Sequence, residues 1–143
     1  MFQNGILSDT GAHHPLFQAA VVQMLICLND LLQKASKDKV RVNFVDQVQE
    51  GVGDVTDLVS KCRNAACHID SSLCDVEFGR YRFGVLIGRG DGVIVGDRPV
   101  IESEFDDDVA IFFGTTRLYL RRHAFRALRE VGAALHVRMD LVR

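Results

Sequence analysis

The feature that most constrains the fold is a change in the spacing of apolar residues along the chain. Two early segments repeat apolar residues every three to four positions, which predicts helices over about 16–35 and 54–69. Around 79–114, β-branched and aromatic residues are frequent and glycines recur, which is typical of short antiparallel strands. The helical spacing returns over about 116–135. The chain is therefore predicted to be an α+β protein.

The first predicted helix has more apolar surface than one helix face needs. Pro15 stands where a helix can begin, because the first helical position needs no backbone N–H. Four further aliphatic side chains widen the apolar stripe beyond the usual arc. They are Val21, Val22, Leu25 and Ile26. This excess must be buried, and a helix face shared between two copies of the chain is one way to bury it.

The second predicted helix has a clear start and end. Asp54 is a plausible N-cap, and Asp57 lies three residues later, where a carboxylate complements the helix dipole. The helix is expected to end near His68 or Asp70, before a pair of small serines.

Four strands are predicted in the β-type region. They are Tyr81–Ile87, Gly92–Val95, Pro99–Glu104 and Val109–Phe113. The glycine-rich stretch Ile87–Val93 is predicted to be a hairpin turn. Its glycines also suggest a phosphate-binding loop, but such a loop leads into a helix, and β-branched residues follow here. A turn is therefore the preferred interpretation.

Composition limits the class of protein without indicating its function. With 143 residues, 48 % of them hydrophobic, the chain fits a single domain over 1–143. It has no apolar run that would span a membrane and no signal peptide, so we expect a cytoplasmic protein without a membrane partner. The cysteines lack zinc-site spacing, and we expect reduced thiols, with Cys27 in the core, and no metal site.

The net charge of −2 is the sum of two unequal parts. Residues 114–143 have a local balance of +5, so residues 1–113 carry −7. Guanidinium groups suit phosphate oxygens, and five arginines are candidate contacts to an RNA backbone. They are Arg117, Arg121, Arg122, Arg126 and Arg129. The alternatives are a solvated face or ion pairs with the acidic loop 102–108, which is itself predicted to be a solvated turn.

The segment Arg63–His68 combines residue types that suit RNA cleavage. Histidine exchanges protons near neutral pH, and a guanidinium stabilises negative charge that develops on a phosphate. An arginine followed by a histidine at similar spacing also occurs at Arg117 and His123 and at Arg129 and His136. Only the first has asparagine directly after the arginine, at the end of a predicted helix.

Arg63, Asn64 and His68 resemble the R-x4–6-H motif of HEPN-domain proteins, in which a polar residue commonly follows the arginine. The resemblance extends from the first predicted helix through His68 and again over the last helix. It implies a helical-bundle core, into which the β-rich region around 79–114 is inserted as a small antiparallel sheet or hairpin.

The resemblance also implies a function. Many HEPN proteins are metal-independent endoribonucleases, often toxins or defence effectors, with an active site across a dimer interface. It implies a cytoplasmic homodimer that cleaves RNA through the 2′-hydroxyl without a cofactor, with an antitoxin or another protein as a further partner. Arg63, Asn64 and His68 are then the catalytic residues. One alternative is a non-catalytic binding module, in which Arg63 pairs with Asp57 or the acidic loop and His68 caps the helix. A third interpretation is a metal-dependent hydrolase that uses the acidic loop and His68.

Helical geometry gives a separate reason to expect a dimer. Five steps at about 3.6 residues per turn place Arg63 and His68 about 140° apart around the helix and roughly 7.5 Å apart along it. One copy therefore directs the two side chains differently, whereas a two-fold axis can bring the arginine of one copy to the histidine of the other. Asn64 and His68 share a helix face, so the amide is placed to orient the imidazole.

Overall fold

The computed structural model of the protein describes residues 5–68, 70–77 and 79–141. Within them lie three α-helices, α1 (Phe17–Lys37), α2 (Val55–Cys67) and α3 (Arg126–Leu141). The strands are β1 (Asp75–Val76), β2 (Gly79–Arg80), β3 (Gly84–Ile87), β4 (Gly90–Val95), β5 (Arg98–Ser103), β6 (Val109–Phe113) and β7 (Thr116–Tyr119). A π-helical segment, Leu120–Phe125, joins β7 to α3.

Helices α1 and α2 form where the apolar spacing predicts them. The Asp54 carboxylate accepts a hydrogen bond from the backbone N–H of Asp57, which confirms Asp54 as the N-cap of α2. Arg41 donates to both carboxylates, at 2.8 Å to Asp54 and 2.8 Å to Asp57, and so ties the preceding chain to the helix start. Helix α2 ends at Cys67, and His68 is its C-cap residue.

Strand β6 is buried on both faces. It pairs antiparallel with β3 on one side and with β7 on the other. Successive strand residues face opposite sides of a sheet. Val109, Ile111 and Phe113 join the core built with the helices, while Ala110 and Phe112 join a second apolar cluster with Ile101 and Tyr119. The sheet is therefore a middle layer, covered by helices on one face and by the β4–β5 hairpin on the other.

The predicted helical-bundle core is wrong. The α+β class holds, but the helices do not form a bundle, because the central sheet packs against them in the same core. All five residues of β6 are buried. A strand buried on both faces belongs to the core, so the β-rich region is not an insertion into a helical protein.

The predicted hairpin turn at Ile87–Val93 is also wrong. Strands β3 and β4 do not pair with each other; β3 pairs with β6, and β4 pairs with β5. The tight turn lies at Gly96 and Asp97, where Gly96 has a φ of 62° that favours glycine. Gly88 and Arg89 form a bend that connects β3 to β4 without pairing the two strands. The Gly88 N–H donates to the Asp108 carbonyl at 2.9 Å.

The last helix begins ten residues later than the predicted start at 116, because Thr116–Tyr119 forms strand β7. Leu118 and Leu120 face the helix-side core, and Tyr119 faces the second cluster, which is the alternation of a strand. Cys27, which we expected in the core, is exposed. All four cysteines are free, and burial raises the pKa of the Cys62 thiol to about 12.

Candidate functional site

The predicted RNA contacts are positioned by the π-helical segment between β7 and α3. In an α-helix, residues five apart point about 140° away from each other. The i→i+5 hydrogen bonds of a π-helix widen the turn, so such residues lie closer together around the helix axis than they do in an α-helix. Arg121 and Arg126 therefore lie along the same groove.

The imidazole of His123 holds this junction to the loop before α2. Its Nδ1 accepts a hydrogen bond from the Tyr119 backbone N–H at 3.1 Å. The proton must therefore be on Nε2, which donates to the Asp46 carbonyl at 3.0 Å. The side chain is fully buried, and this burial lowers the pKa of His123. A neutral His123 is thus the link between two segments that are distant in sequence.

Asp108 fixes the start of the π-helical segment. Its carboxylate accepts the backbone N–H groups of Arg121 at 2.8 Å and of Arg122 at 3.0 Å. The Arg122 guanidinium donates to the same carboxylate at 3.1 Å. The first N–H groups of a helix have no partner within it, so a carboxylate here satisfies them. Asp108 is only 2 % exposed, so the predicted solvated acidic turn is wrong at this residue.

Four of the five predicted RNA-contacting arginines line one open groove of about 340 Å³, which we call the arginine groove. They are Arg121, Arg122, Arg126 and Arg129. Gln47 and Asp107 complete its lining. The fifth arginine, Arg117, lies elsewhere: it is 8 % exposed and donates to the Glu104 carboxylate at 2.7 Å. Arg117 is therefore a structural residue and not a candidate RNA contact.

Two arginines of the groove are held by carboxylates. Arg122 pairs with Asp107 at 2.8 Å, and this hydrogen bond lowers the pKa of the Asp107 carboxyl. Arg126 pairs with Asp46 at 2.7 Å, which lowers the pKa of the Asp46 carboxyl in the same way. The Arg126 guanidinium also lies 3.8 Å from the centre of the Phe44 ring. These contacts fix the positions of both guanidinium groups.

The other two arginines of the groove have no such partner. Arg121 and Arg129 are exposed and make no ion pair with the described part of the chain. The groove therefore combines two arginines held in place with two that are open to solvent. An anion can bind the open pair without displacing a carboxylate.

The residues of the R-x4-H motif lie at the end of α2. Arg63 donates to the Asn64 side-chain oxygen at 3.2 Å, and its Nε is buried without a hydrogen-bond partner. Asp57, an expected partner of Arg63, pairs instead with Arg41 at 2.8 Å. His68 is exposed and lines a small cleft, whereas Arg63 and Asn64 do not line it. One chain therefore does not bring Arg63 and His68 into one cleft.

Residues 5–68, 70–77 and 79–141 contain neither a cluster of metal ligands nor a helix suited to crossing a membrane. No group of three or more His, Cys, Asp or Glu side chains in these ranges is arranged to hold a metal ion. Nor does any helix in these ranges combine the length and apolar character that crossing a membrane requires.

Several residues that line the arginine groove or hold its arginines in place were not predicted from the sequence. Asp46 and Gln47 lie in a loop between predicted elements, and His123 contacts this loop from 77 residues away. Asp108 was counted only as one of a group of acidic residues. No local pattern distinguishes these four, because each acts through contacts that the fold creates.

No protein-family model, curated protein or solved structure matches the chain. Functional inference therefore rests on the residues of the chain itself.

Proposed function

We propose that the protein binds RNA through its phosphate backbone, and that the arginine groove is the contact surface. The observation that carries this proposal is the exposed pair Arg121 and Arg129, which lie without ion-pair partners beside two arginines held in place. Guanidinium groups bind phosphate oxygens through two parallel hydrogen bonds. Gln47 adds an amide to the lining, and an amide can hydrogen-bond a ribose 2′-hydroxyl.

The ion pairs in the groove set the strength expected for this binding. Arg122 and Arg126 already have carboxylate partners, so only part of the formal positive charge is available to RNA. Each phosphate contact releases counterions, which makes affinity fall as salt rises. We expect a Kd of roughly 1–100 µM at physiological salt, in the range of non-specific binding.

Fluorescence anisotropy with a labelled single-stranded RNA tests the proposal. The Arg121→Ala/Arg129→Ala variant should bind about tenfold more weakly than the wild type, because each lost contact removes an ionic hydrogen bond. Lys34→Ala/Arg89→Ala is the matched control, since it removes the same charge from exposed residues outside the groove. Equal losses in the two double variants would mean that RNA responds to net charge and not to the groove.

A second function is proposed for the end of α2, namely metal-independent RNA cleavage by a homodimer. The observation that favours it is the Arg63 guanidinium, which makes no ion pair with the described residues and has a buried Nε without an acceptor. This guanidinium therefore has donor capacity that no described residue uses. In this proposal Arg63 of one copy and His68 of the other act on the same phosphodiester, with His68 transferring the proton.

Cleavage of RNA in excess chelator tests this second function. His68→Ala should abolish cleavage while leaving the dimer, measured by sedimentation, and RNA binding unchanged. His136→Ala is the matched control, because His136 is also exposed and also follows an arginine at motif spacing. If the His68→Ala variant cuts as fast as the wild type, or the wild type leaves RNA intact, cleavage by this site is rejected and RNA binding by the groove is unaffected.

A further inference from the structure

A small cleft beside His68 gathers polar side chains from three separate parts of the chain. Gln18 comes from the first turn of α1, His68 follows α2, and Arg82 lies between β2 and β3. Apolar side chains of α1, α2 and β6, together with Cys74, form the rest of the lining. None of the eight lining residues is Asp or Glu. We call this the His68 cleft.

Both neighbours of Arg82 along the chain are held by contacts, Tyr81 through its backbone and Phe83 through its ring. The Tyr81 N–H donates to the Cys74 carbonyl at 2.8 Å, and the Tyr81 carbonyl accepts the Gly114 N–H at 2.7 Å. On the other side, the Phe83 ring packs edge-on against Phe113, with 5.7 Å between centroids. Arg82 is therefore presented at a defined position by two anchored neighbours.

Gly114 makes this arrangement dependent on a glycine. Its φ is 59°, and a Cβ at this position would clash with the Leu73 carbonyl oxygen. The turn between β6 and β7 can therefore approach the segment before β1 closely. This approach holds Cys74 and Tyr81 together at the edge of the His68 cleft.

We propose that the His68 cleft binds a phosphate group. Arg82 supplies the positive charge, and the His68 imidazole and the Gln18 amide supply hydrogen bonds. The cleft volume of about 100 Å³ is several times the roughly 15 Å³ that one water molecule needs, so a tetrahedral oxyanion fits. The end of α2 disfavours an anion, but the start of α1 lies in the same cleft and has the opposite dipole sign.

This site is distinct from the arginine groove and from the Arg63 site. The arginine groove shares no lining residue with the His68 cleft. The proposed cleavage site shares only His68 with it. The inference does not depend on RNA binding in the groove. It requires only that the cleft recognise the phosphate group, whether free or carried by a nucleotide.

NMR detection of the His68 side chain, with inorganic phosphate added at constant ionic strength, tests the inference. The wild type should show a saturable shift with a millimolar Kd. Arg82→Ala should weaken this binding about tenfold, and Arg82→Lys should recover part of it, because it restores the charge without the fork. The control Arg89→Ala, which removes an exposed arginine outside the cleft, should bind phosphate as the wild type does. If Arg82→Ala fails to fold, His68→Ala followed through the phosphorus signal measures the same loss.

A ribonucleoside 3′-monophosphate as the second probe distinguishes the two sources of phosphate. Binding about tenfold tighter than that of inorganic phosphate identifies a nucleotide or RNA end as the ligand, and equal binding identifies free phosphate. Both results support a phosphate site. The inference is overturned if neither probe shifts His68 at millimolar concentrations, if Arg82→Ala binds as tightly as the wild type, or if Arg89→Ala abolishes the response.

Discussion

The arginine groove and the His68 cleft are both basic, but they differ in whether a carboxylate lines them. In the groove, Arg122 and Arg126 are bound by carboxylates of the same chain. None of the residues that line the cleft is Asp or Glu. The number of cations in a region therefore does not by itself measure how strongly the region binds anions. A carboxylate that lines the same site and pairs with a cation, as Asp107 does with Arg122, lowers that capacity.

The two sites also depend on different parts of the fold. The four arginines of the groove come from one short segment, which distant residues such as Asp108 and Asp46 hold in place. The side chains of the cleft come from three segments that meet where α1, α2 and the Tyr81–Phe83 stretch pack together. Changes at the junction before α3 should therefore weaken binding in the arginine groove and leave binding in the His68 cleft unchanged.

The largest difference between the two sites is expected in the Asp108→Ala variant. This change leaves the backbone N–H groups of Arg121 and Arg122 without their buried acceptor and removes the anchor of the Arg122 guanidinium. We expect the free energy of unfolding, measured by urea denaturation, to fall by about 3 kcal/mol. RNA binding should weaken while phosphate binding in the His68 cleft persists. The control Asp106→Asn, at an exposed neighbour, should cost less than about 0.5 kcal/mol; a similarly small loss for Asp108→Ala would contradict the anchoring role.

The next largest effect is a loss of stability in mild acid that depends on His123. Burial lowers the pKa of His123 in the folded protein below its unfolded value of about 6.5. As pH falls below that value, the unfolded chain takes up a proton that the folded one does not. The free energy of unfolding should therefore fall by about 1 kcal/mol between about pH 7.5 and 5.5.

His123→Gln is the variant that isolates this effect. Glutamine retains a donor and an acceptor but does not titrate, so the acid-dependent loss above about pH 5 should disappear. The lowered pKa values of Asp46 and Asp107 act in a separate window, below about pH 4. Urea denaturation at the two pH values measures the difference, and an equal loss in wild type and variant would show that another group is responsible.

The parts of the fold that were predictable from the sequence are those with local causes. Helix α1 follows from its apolar spacing, and the start of α2 follows from Asp54, whose side chain caps a residue only three positions away. Strand β6 was predicted at its observed bounds, Val109–Phe113, because five consecutive apolar residues between turn signals suit a fully buried strand.

The parts that were not predictable depend on pairing between distant segments. Leu118 and Leu120 fit a helical stripe as well as a strand, and only the edge of β6 decides in favour of β7. The π-helical segment likewise follows from contacts with Asp108 and the Asp46 carbonyl and not from its own residues. Of the candidate site, the arginines were predictable as residue types, but which of them are paired was not.

A smaller effect is expected from Asp107→Asn. The Asp107 carboxylate lines the groove and already occupies the Arg122 guanidinium. Removing its charge should tighten RNA binding about threefold, since a negative charge leaves the groove lining while Asp108 still holds Arg122 in place. Phosphate binding in the His68 cleft should not change. Asp106→Asn removes the same charge one residue away but outside the groove lining, so an equal gain in that variant would point to a general charge effect.

The salt dependence of RNA affinity tests most directly the claim that the unpaired arginines of the groove bind phosphates. Each phosphate contact to a single strand contributes about 0.7 to the slope of log Kd against log salt concentration. The Arg121→Ala/Arg129→Ala variant should therefore have a slope about 1.4 smaller than that of the wild type. A variant slope equal to the wild-type slope would contradict the claim, because it would mean that neither arginine meets a phosphate.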